Sequence, residues 1–371
     1  MKTSLLRKAQ MVLFTLAFCV PVFAREFLRS RPHSVAGHPT AVAVGHFNHD
    51  SIPDIVTVGR TGPGTTAVSV LLGNGDGSFK KAVSTKVSSA ILQFLAVADF
   101  NGDHLSDVVY GVFENAVVVL LAKGDGGFQS PVSYSVAGPA GVVSGDFDND
   151  GAIDIAVANS FDNVVSVFLG NGDGTFQPSA TYAADAPFGM AIGDFDGDGN
   201  LDLAATNGGT AAEVNVLLGN GDGSFQAPVS YNVGRAPAVE VTVADFNRDG
   251  KPDLGCMIDA GQVSVLLGNG NGSFQSPITT NAGISTNLAV ADFNLDGRPD
   301  VVVTSNYFAV QYVAVLNGQG DGRFKLGATM TASKLPAAMT VAAADFNQDG
   351  LPDIVVANEE YGLAEVFLNS P

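Results

Sequence analysis

Seven short segments of this chain carry oxygen-bearing side chains at alternate positions. The pattern is Asp-Phe-Asn/Asp-x-Asp-Gly-x-x-Asp, and its copies start at residues 46, 99, 146, 194, 245, 292 and 345. In the copy Asp194-Phe195-Asp196-Gly197-Asp198-Gly199-Asn200-Leu201-Asp202, positions 1, 3, 5 and 9 are carboxylates. A calcium ion takes about six to eight oxygen ligands at about 2.3–2.6 Å. Alternate side chains in a tight turn converge on one point, and the position-7 carbonyl is a further ligand. Glycine at position 6 permits a sharp turn with positive φ. Magnesium is a poorer candidate because it prefers octahedral sites that keep water. No ligand is soft, which argues against zinc and copper.

Five copies are complete. They offer Asp146, Asp148, Asp150 and Asp154; Asp194, Asp196, Asp198 and Asp202; Asp245, Asn247, Asp249 and Asp253; Asp292, Asn294, Asp296 and Asp300; and Asp345, Asn347, Asp349 and Asp353. A metal-free Asx-turn hairpin uses the same residue types. Five repetitions favour the cation, because three or four gathered carboxylates repel one another without one. Two copies depart. The loop at 99 keeps Asp99, Asn101, Asp103 and Asp107 but has His104 at position 6, which predicts a weaker site. The loop at 46 begins with His46, has Ser51 at position 6 and retains Asn48, Asp50 and Asp54, which predicts a weak site or none. The expected total is five to seven Ca²⁺ ions.

The spacing of these loops sets the fold. Successive copies lie 53, 47, 48, 51, 47 and 53 residues apart. A period near fifty residues is the signature of a repeat architecture. Within each period, short runs of Val, Ile, Phe and Ala alternate with Gly, Asn and Asp, which reads as strands and turns. In the third unit these runs are 140–147, 154–158, 164–169 and 176–183. Four strands per unit predict an all-β, seven-bladed β-propeller with four antiparallel strands per blade. The blades fall near 39–87, 91–136, 140–183, 187–233, 238–281, 286–332 and 338–371. The last unit lacks a fourth strand, and residues 27–35 resemble one, so the N-terminal strand is expected to complete the last blade. Such closure leaves only short, protected edges.

Residues 1–24 have the grammar of a cleaved signal peptide. Lys2, Arg7 and Lys8 precede an apolar run from Met11 to Val20, and Val22-Phe23-Ala24 forms a cleavage site. A secreted, periplasmic or cell-surface location follows, with no transmembrane segment in the mature chain. Cleavage leaves Cys256 as the single cysteine, so an intramolecular disulfide is excluded. The formal charge is −19, and losing three basic residues makes it about −22. The seven loops hold 22 of the 37 acidic residues. This acidity argues against a nucleic-acid partner.

A second motif, Gly-Asn-Gly-Asp-Gly-Ser/Thr-Phe, stands at 73–79, 170–176 and 219–225, with variants at 124–128, 268–274 and 318–324. Together the two motifs resemble the FG-GAP and VCBS-type repeats of secreted bacterial proteins and the seven-bladed propeller of integrin α subunits. The likeness covers essentially all of residues 27–371. It implies calcium in the A–B hairpin of each blade, in a structural role. It does not imply one activity.

The A–B loops and the C–D turns share one face of such a ring. The opposite face carries the variable loops, where binding function tends to sit. Its candidates for ligand binding are Tyr307, Phe308, Tyr312, Glu359, Glu360 and Tyr361, an aromatic group with acids beside it. Asp162, Glu114, Asp185, Phe188 and Arg235 lie on the same loops. No catalytic motif is present, so an enzyme is not expected. The reading is a monomeric binding or adhesion module for an unknown protein or glycan at the cell surface. Alternatives are a polysaccharide-active enzyme, a lectin-like accessory protein, or a structural part of a cell-envelope assembly.

Overall fold

The computed structural model describes residue 27 and residues 31–87, 91–112, 115–258, 261–283, 287–304, 312–330 and 338–370. The proposed signal peptide lies outside these residues. Among them, no helix is long and apolar enough to cross a membrane.

Seven four-stranded antiparallel sheets follow one another along the chain. The third sheet is typical, with strands A to D at Pro139–Gly145, Asp154–Asn159, Val164–Phe168 and Ala180–Ala183. Each A strand contacts the A strands of both neighbouring blades, so the seven A strands ring a common axis. The molecule is therefore a seven-bladed β-propeller. Strand D of the third blade is shorter than expected, and Phe176 is held by an isolated bridge to Gly170 instead.

Burial explains the composition of each strand. Every residue of strand B in the third blade is buried, because neighbouring blades cover both faces. A strand covered on both faces reads as a continuous apolar run rather than an alternation. The core is accordingly divided. Seven hydrophobic clusters each unite side chains of two adjacent blades.

The seventh blade closes the ring. Its strands are Ala338–Ala344, Asp353–Asn358 and Leu363–Phe367, completed by Arg31–Ser34 from the other end of the chain. Arg31 lies opposite Val366, and Ser34 opposite Leu363. Phe27 adds an isolated bridge to Asn369.

An aromatic belt runs around the side that carries the A–B loops. The position-2 phenylalanine of each loop meets, edge to face, an aromatic ring from the following blade. The pairs are Phe47–Phe128, Phe100–Phe176, Phe147–Phe225, Phe195–Phe274, Phe246–Phe324, Phe293–Phe27 and Phe346–Phe79, with centroids 5.4–6.0 Å apart. Phe27 therefore supplies the ring that would otherwise be missing at the chain break. Each such pair is worth about 0.5–1.5 kcal/mol beyond its buried area.

Candidate metal centres

The five complete loops fold alike. The position-1 carboxylate accepts the N–H groups of positions 5 and 6, as Asp146 does from Asp150 and Gly151 at 3.2 and 3.0 Å. The same contacts recur at Asp194, Asp245, Asp292 and Asp345. The position-3 side-chain oxygen, that of Asp148, Asp196, Asn247, Asn294 or Asn347, accepts the backbone N–H of position 5. Position 5 accepts from position 7, as Asp150, Asp198, Asp249, Asp296 and Asp349 show. These bonds turn alternate side chains over their own backbone toward one point. Oxygens of Asp146, Asp148 and Asp154 lie within 4.8 Å of one another, as do those of Asp194, Asp196 and Asp202.

The backbone needs two left-handed residues per loop rather than the one expected. Position 6 has φ of 78–91° in the complete copies, and position 4 is also positive, including Asn149 at 59° and Arg248 at 64°. Side chains other than glycine are uncommon there.

The position-9 aspartate has a role that spacing did not reveal. Asp154 Oδ2 accepts the Phe147 N–H at 2.7 Å, and its Oδ1 accepts the Gly170 N–H at 2.7 Å. It thus ties the A–B hairpin to the start of the C–D turn. Asp54, Asp107, Asp202, Asp253, Asp300 and Asp353 make the equivalent pair of bonds. All seven carboxylates are fully buried. Burial is the main force pushing their pKa up, and neighbouring loop carboxylates push the same way, while the two N–H bonds oppose it. Asp154, Asp202, Asp253 and Asp300 reach about 6, and Asp107 and Asp353 about 7. Asp148 and Asp196 are also raised, first by desolvation and then by adjacent acids. Hard oxygen donors gathered under mutual repulsion fit a divalent cation.

The loop at 99 keeps this geometry. Asp99 accepts N–H bonds from Gly102, Asp103 and His104, Asn101 accepts from Asp103, and His104 adopts φ of 66°. The loop at 46 does not. His46 Nδ1 donates to the Ile52 carbonyl at 3.1 Å, so the imidazole takes the position-7 oxygen that a cation would use. Neither His49 nor Ser51 adopts positive φ. Asn48 and Asp50 keep only their local turn bonds.

The second motif staples the blades together. Its third glycine donates its N–H to the carbonyl of the position-2 phenylalanine in the preceding blade, as Gly223 does to Phe147 at 3.0 Å. Gly77, Gly174, Gly272 and Gly322 do the same. The seventh blade has no such turn. There the side chain of Asn369 donates to the Phe293 carbonyl at 2.8 Å, while its backbone N–H reaches Asp353.

On the opposite face the described residues include only part of the expected aromatic group. Tyr307 and Phe308 lie outside the described residues, as does Glu114. Tyr312 turns toward blade 5, where its hydroxyl donates to the Ala282 carbonyl at 2.9 Å. Tyr361 is half exposed, and its N–H donates to Asn358 in its own loop. The carbonyl of Glu359 accepts from His38 at 2.8 Å, and Glu360 is exposed. Phe188 faces inward and meets Phe94 edge to face at 5.2 Å rather than projecting from a loop. Asp185 accepts from the Asn207 amide. One half-buried acid on this side of the ring is not singled out by the motifs. Glu240, on the inner strand of blade 5, accepts from Asn287 at 3.2 Å, and enclosure pushes its carboxyl up to about 8.

Three comparisons place this architecture among known proteins. No curated protein sequence matches the chain. The fold is similar to the BP39L lectin from Burkholderia pseudomallei, with TM-score 0.66 and 17% identity over 90% of this chain and 96% of that one. It is also similar to BBS1N in its complex with ARL6DN, in two crystals. The mercury-soaked one gives TM-score 0.63 and 8% identity, the lead-soaked one 0.60 and 11%, and both cover 93% of this chain and 97% of that one. The model of the FG-GAP-like repeat matches residues 46–110, 99–157, 146–205, 194–256, 255–303 and 292–356. Nearly every loop and turn described above falls within those matches, and the chain belongs to the FG-GAP repeat family.

Proposed function

We propose that this protein is a secreted, calcium-stabilised propeller that acts as a binding or adhesion module. Calcium occupies the A–B loops of blades 3 to 7, with a weaker site in blade 2 and none in blade 1. The ions hold hairpins whose ninth-position carboxylates already tie strands A, B and C together. The face opposite the calcium loops presents the variable connections to a protein or glycan at the cell surface.

The observation that carries this reading is the fivefold recurrence of one oxygen-lined turn on a single face. FG-GAP repeats commonly bind Ca²⁺, which supports the choice of ion. A fold shared with a lectin, and with a propeller solved in complex with a protein, is consistent with a binding role. The test is retention of the purified protein on a glycan array and on native cell surfaces, in calcium and in chelator. Calcium-dependent retention on either supports the module. Retention on neither, with turnover of a polysaccharide substrate, overturns it.

A further inference from the structure

The five complete loops share one backbone and differ in charge. Between positions 1 and 9, blades 3 and 4 have four acids and no base, and blade 7 has three acids and no base. Blade 6 sets Arg298 among its three acids, and blade 5 sets both Arg248 and Lys251 among three. From blade 3 to blade 7 the loops therefore carry −4, −4, −1, −2 and −3.

The added cations stand against carboxylates of the loops. Lys251 Nζ lies 3.9 Å from Asp249 Oδ2, and Arg298 Nη1 lies 3.8 Å from Asp296 Oδ2. Both bases occupy position 7, where blades 3 and 7 have Ala152 and Leu351. In blade 4 that position is Asn200, whose amide donates to the same oxygen of Asp198 at 2.8 Å. The contact is thus available without a charge, and blades 5 and 6 add the charge. Position 4 carries the effect across to the next blade. Asn149 of blade 3 leans over the gap to bond Asn200 of blade 4 at 2.9 Å. Arg248 of blade 5 leans the same way, and its guanidinium lies 3.6–4.0 Å from the point where a Cβ on Gly297 of blade 6 would stand. Its charge falls on the loops of blades 5 and 6 together.

The charge of the ligand set tunes calcium affinity in such loops. Asn247 and Asn294 put a neutral amide at position 3, where blades 3 and 4 have Asp148 and Asp196. That exchange should weaken a site on the order of tenfold. Each half-exposed cation is screened by solvent and should weaken it about threefold more.

We propose that Arg248, Lys251 and Arg298 grade the calcium response of the ring, so that the loops of blades 3 and 4 fill first and those of blades 5 and 6 last among the complete copies. Blades 3 and 4 then hold ions at calcium levels that leave blades 5 and 6 empty, and the protein responds to calcium over two ranges. The grading rests on the calcium sites of the proposed function and needs no partner.

Calorimetric titration of the full chain with calcium, at about 0.15 M salt, tests it. Two phases are expected, with Asp194→Ala removing one ion from the tighter and Asp245→Ala one from the weaker. Lys251→Met with Arg298→Met should tighten the weaker phase about threefold. Lys251→Arg with Arg298→Lys keeps both charges and should leave that phase where it is. Ala152→Lys should move the blade 3 ion toward the weaker phase, and serves if the methionine variant folds poorly. Salt at about 1 M should narrow the gap, because the Debye length falls to about 3 Å. A single class of sites, or a weaker phase that neither the methionine variant nor Ala152→Lys alters, would overturn the grading and leave calcium binding standing. No calcium binding at all would overturn the calcium reading of the proposed function as well.

Discussion

The hairpins of blades 1 and 4 share one frame and settle their polar groups by different means. Both hang between an A and a B strand, and both are tied by a buried position-9 aspartate, Asp54 or Asp202. In blade 4, Asp194, Asp196 and Asp202 crowd their oxygens within 4.8 Å. In blade 1, His46 stands where Asp194 does, and its ring N–H satisfies the Ile52 carbonyl. A fixed imidazole donor thus stands where the proposed function puts a cation in blade 4. The ninth-position carboxylate is common to both, so it belongs to the fold. The first-position carboxylate is absent from blade 1, so the fold does not require it, and the proposed function assigns it to the ion.

The largest expected effect comes from removing the ions everywhere. At ten times Kd each site contributes about 1.4 kcal/mol. Six sites together should lower the melting temperature on the order of 10 °C in excess chelator. Scanning calorimetry checks this, and unchanged melting would erase the difference between the two hairpins.

Next in size is the position-9 tie. Asp202→Ala leaves two buried N–H groups unpaired and should cost about 2–5 kcal/mol in chelator, and its ion's share besides in calcium. Asp54→Ala should cost a similar amount. If Asp54→Ala proves harmless by chemical denaturation, the tie is not a shared fold element. Asp194→Ala should cost only its ion's share, about 1–1.5 kcal/mol, and nothing in chelator.

Acidity distinguishes the two roles further. A carboxyl whose pKa is raised by folding holds its proton more tightly in the native state. Its contribution to stability is present below the unfolded value near 4 and is lost as pH rises through the folded value. Asp202, at about 6, therefore makes the calcium-free protein less stable between pH 4 and 7. Calcium reverses this trend, because it binds the ionised form and its affinity climbs over the same interval. Melting curves at several pH values, with and without the ion, should cross. Parallel curves would contradict the site chemistry.

The smallest effect is a conversion. His46→Asp with Ser51→Gly should add one ion per chain by native mass spectrometry, raising the melting temperature by a few degrees. No added ion would mean that blade 1 differs by more than its side chains.

Much of this was legible in the sequence because it repeats. The seven loops set the number of blades, and the missing last strand pointed to residues 27–35, of which Arg31–Ser34 form the replacing strand. What stayed hidden depends on contacts between residues far apart along the chain. Asp154 reaches Gly170, 16 residues away, and nothing in the spacing distinguishes that bond from metal ligation. Asn369 takes over a glycine's hydrogen bond only because the chain break puts it beside Phe293. Tyr312 reads as a surface aromatic, yet the small residues of blade 5 draw it into a cleft.

A crystal structure grown in millimolar calcium tests the central claim most directly. An ion should stand in each loop of blades 3 to 7, about 2.3–2.6 Å from its oxygens, with a partly occupied site at Asp99 and none beside His46. Five empty turns in ample calcium would contradict it.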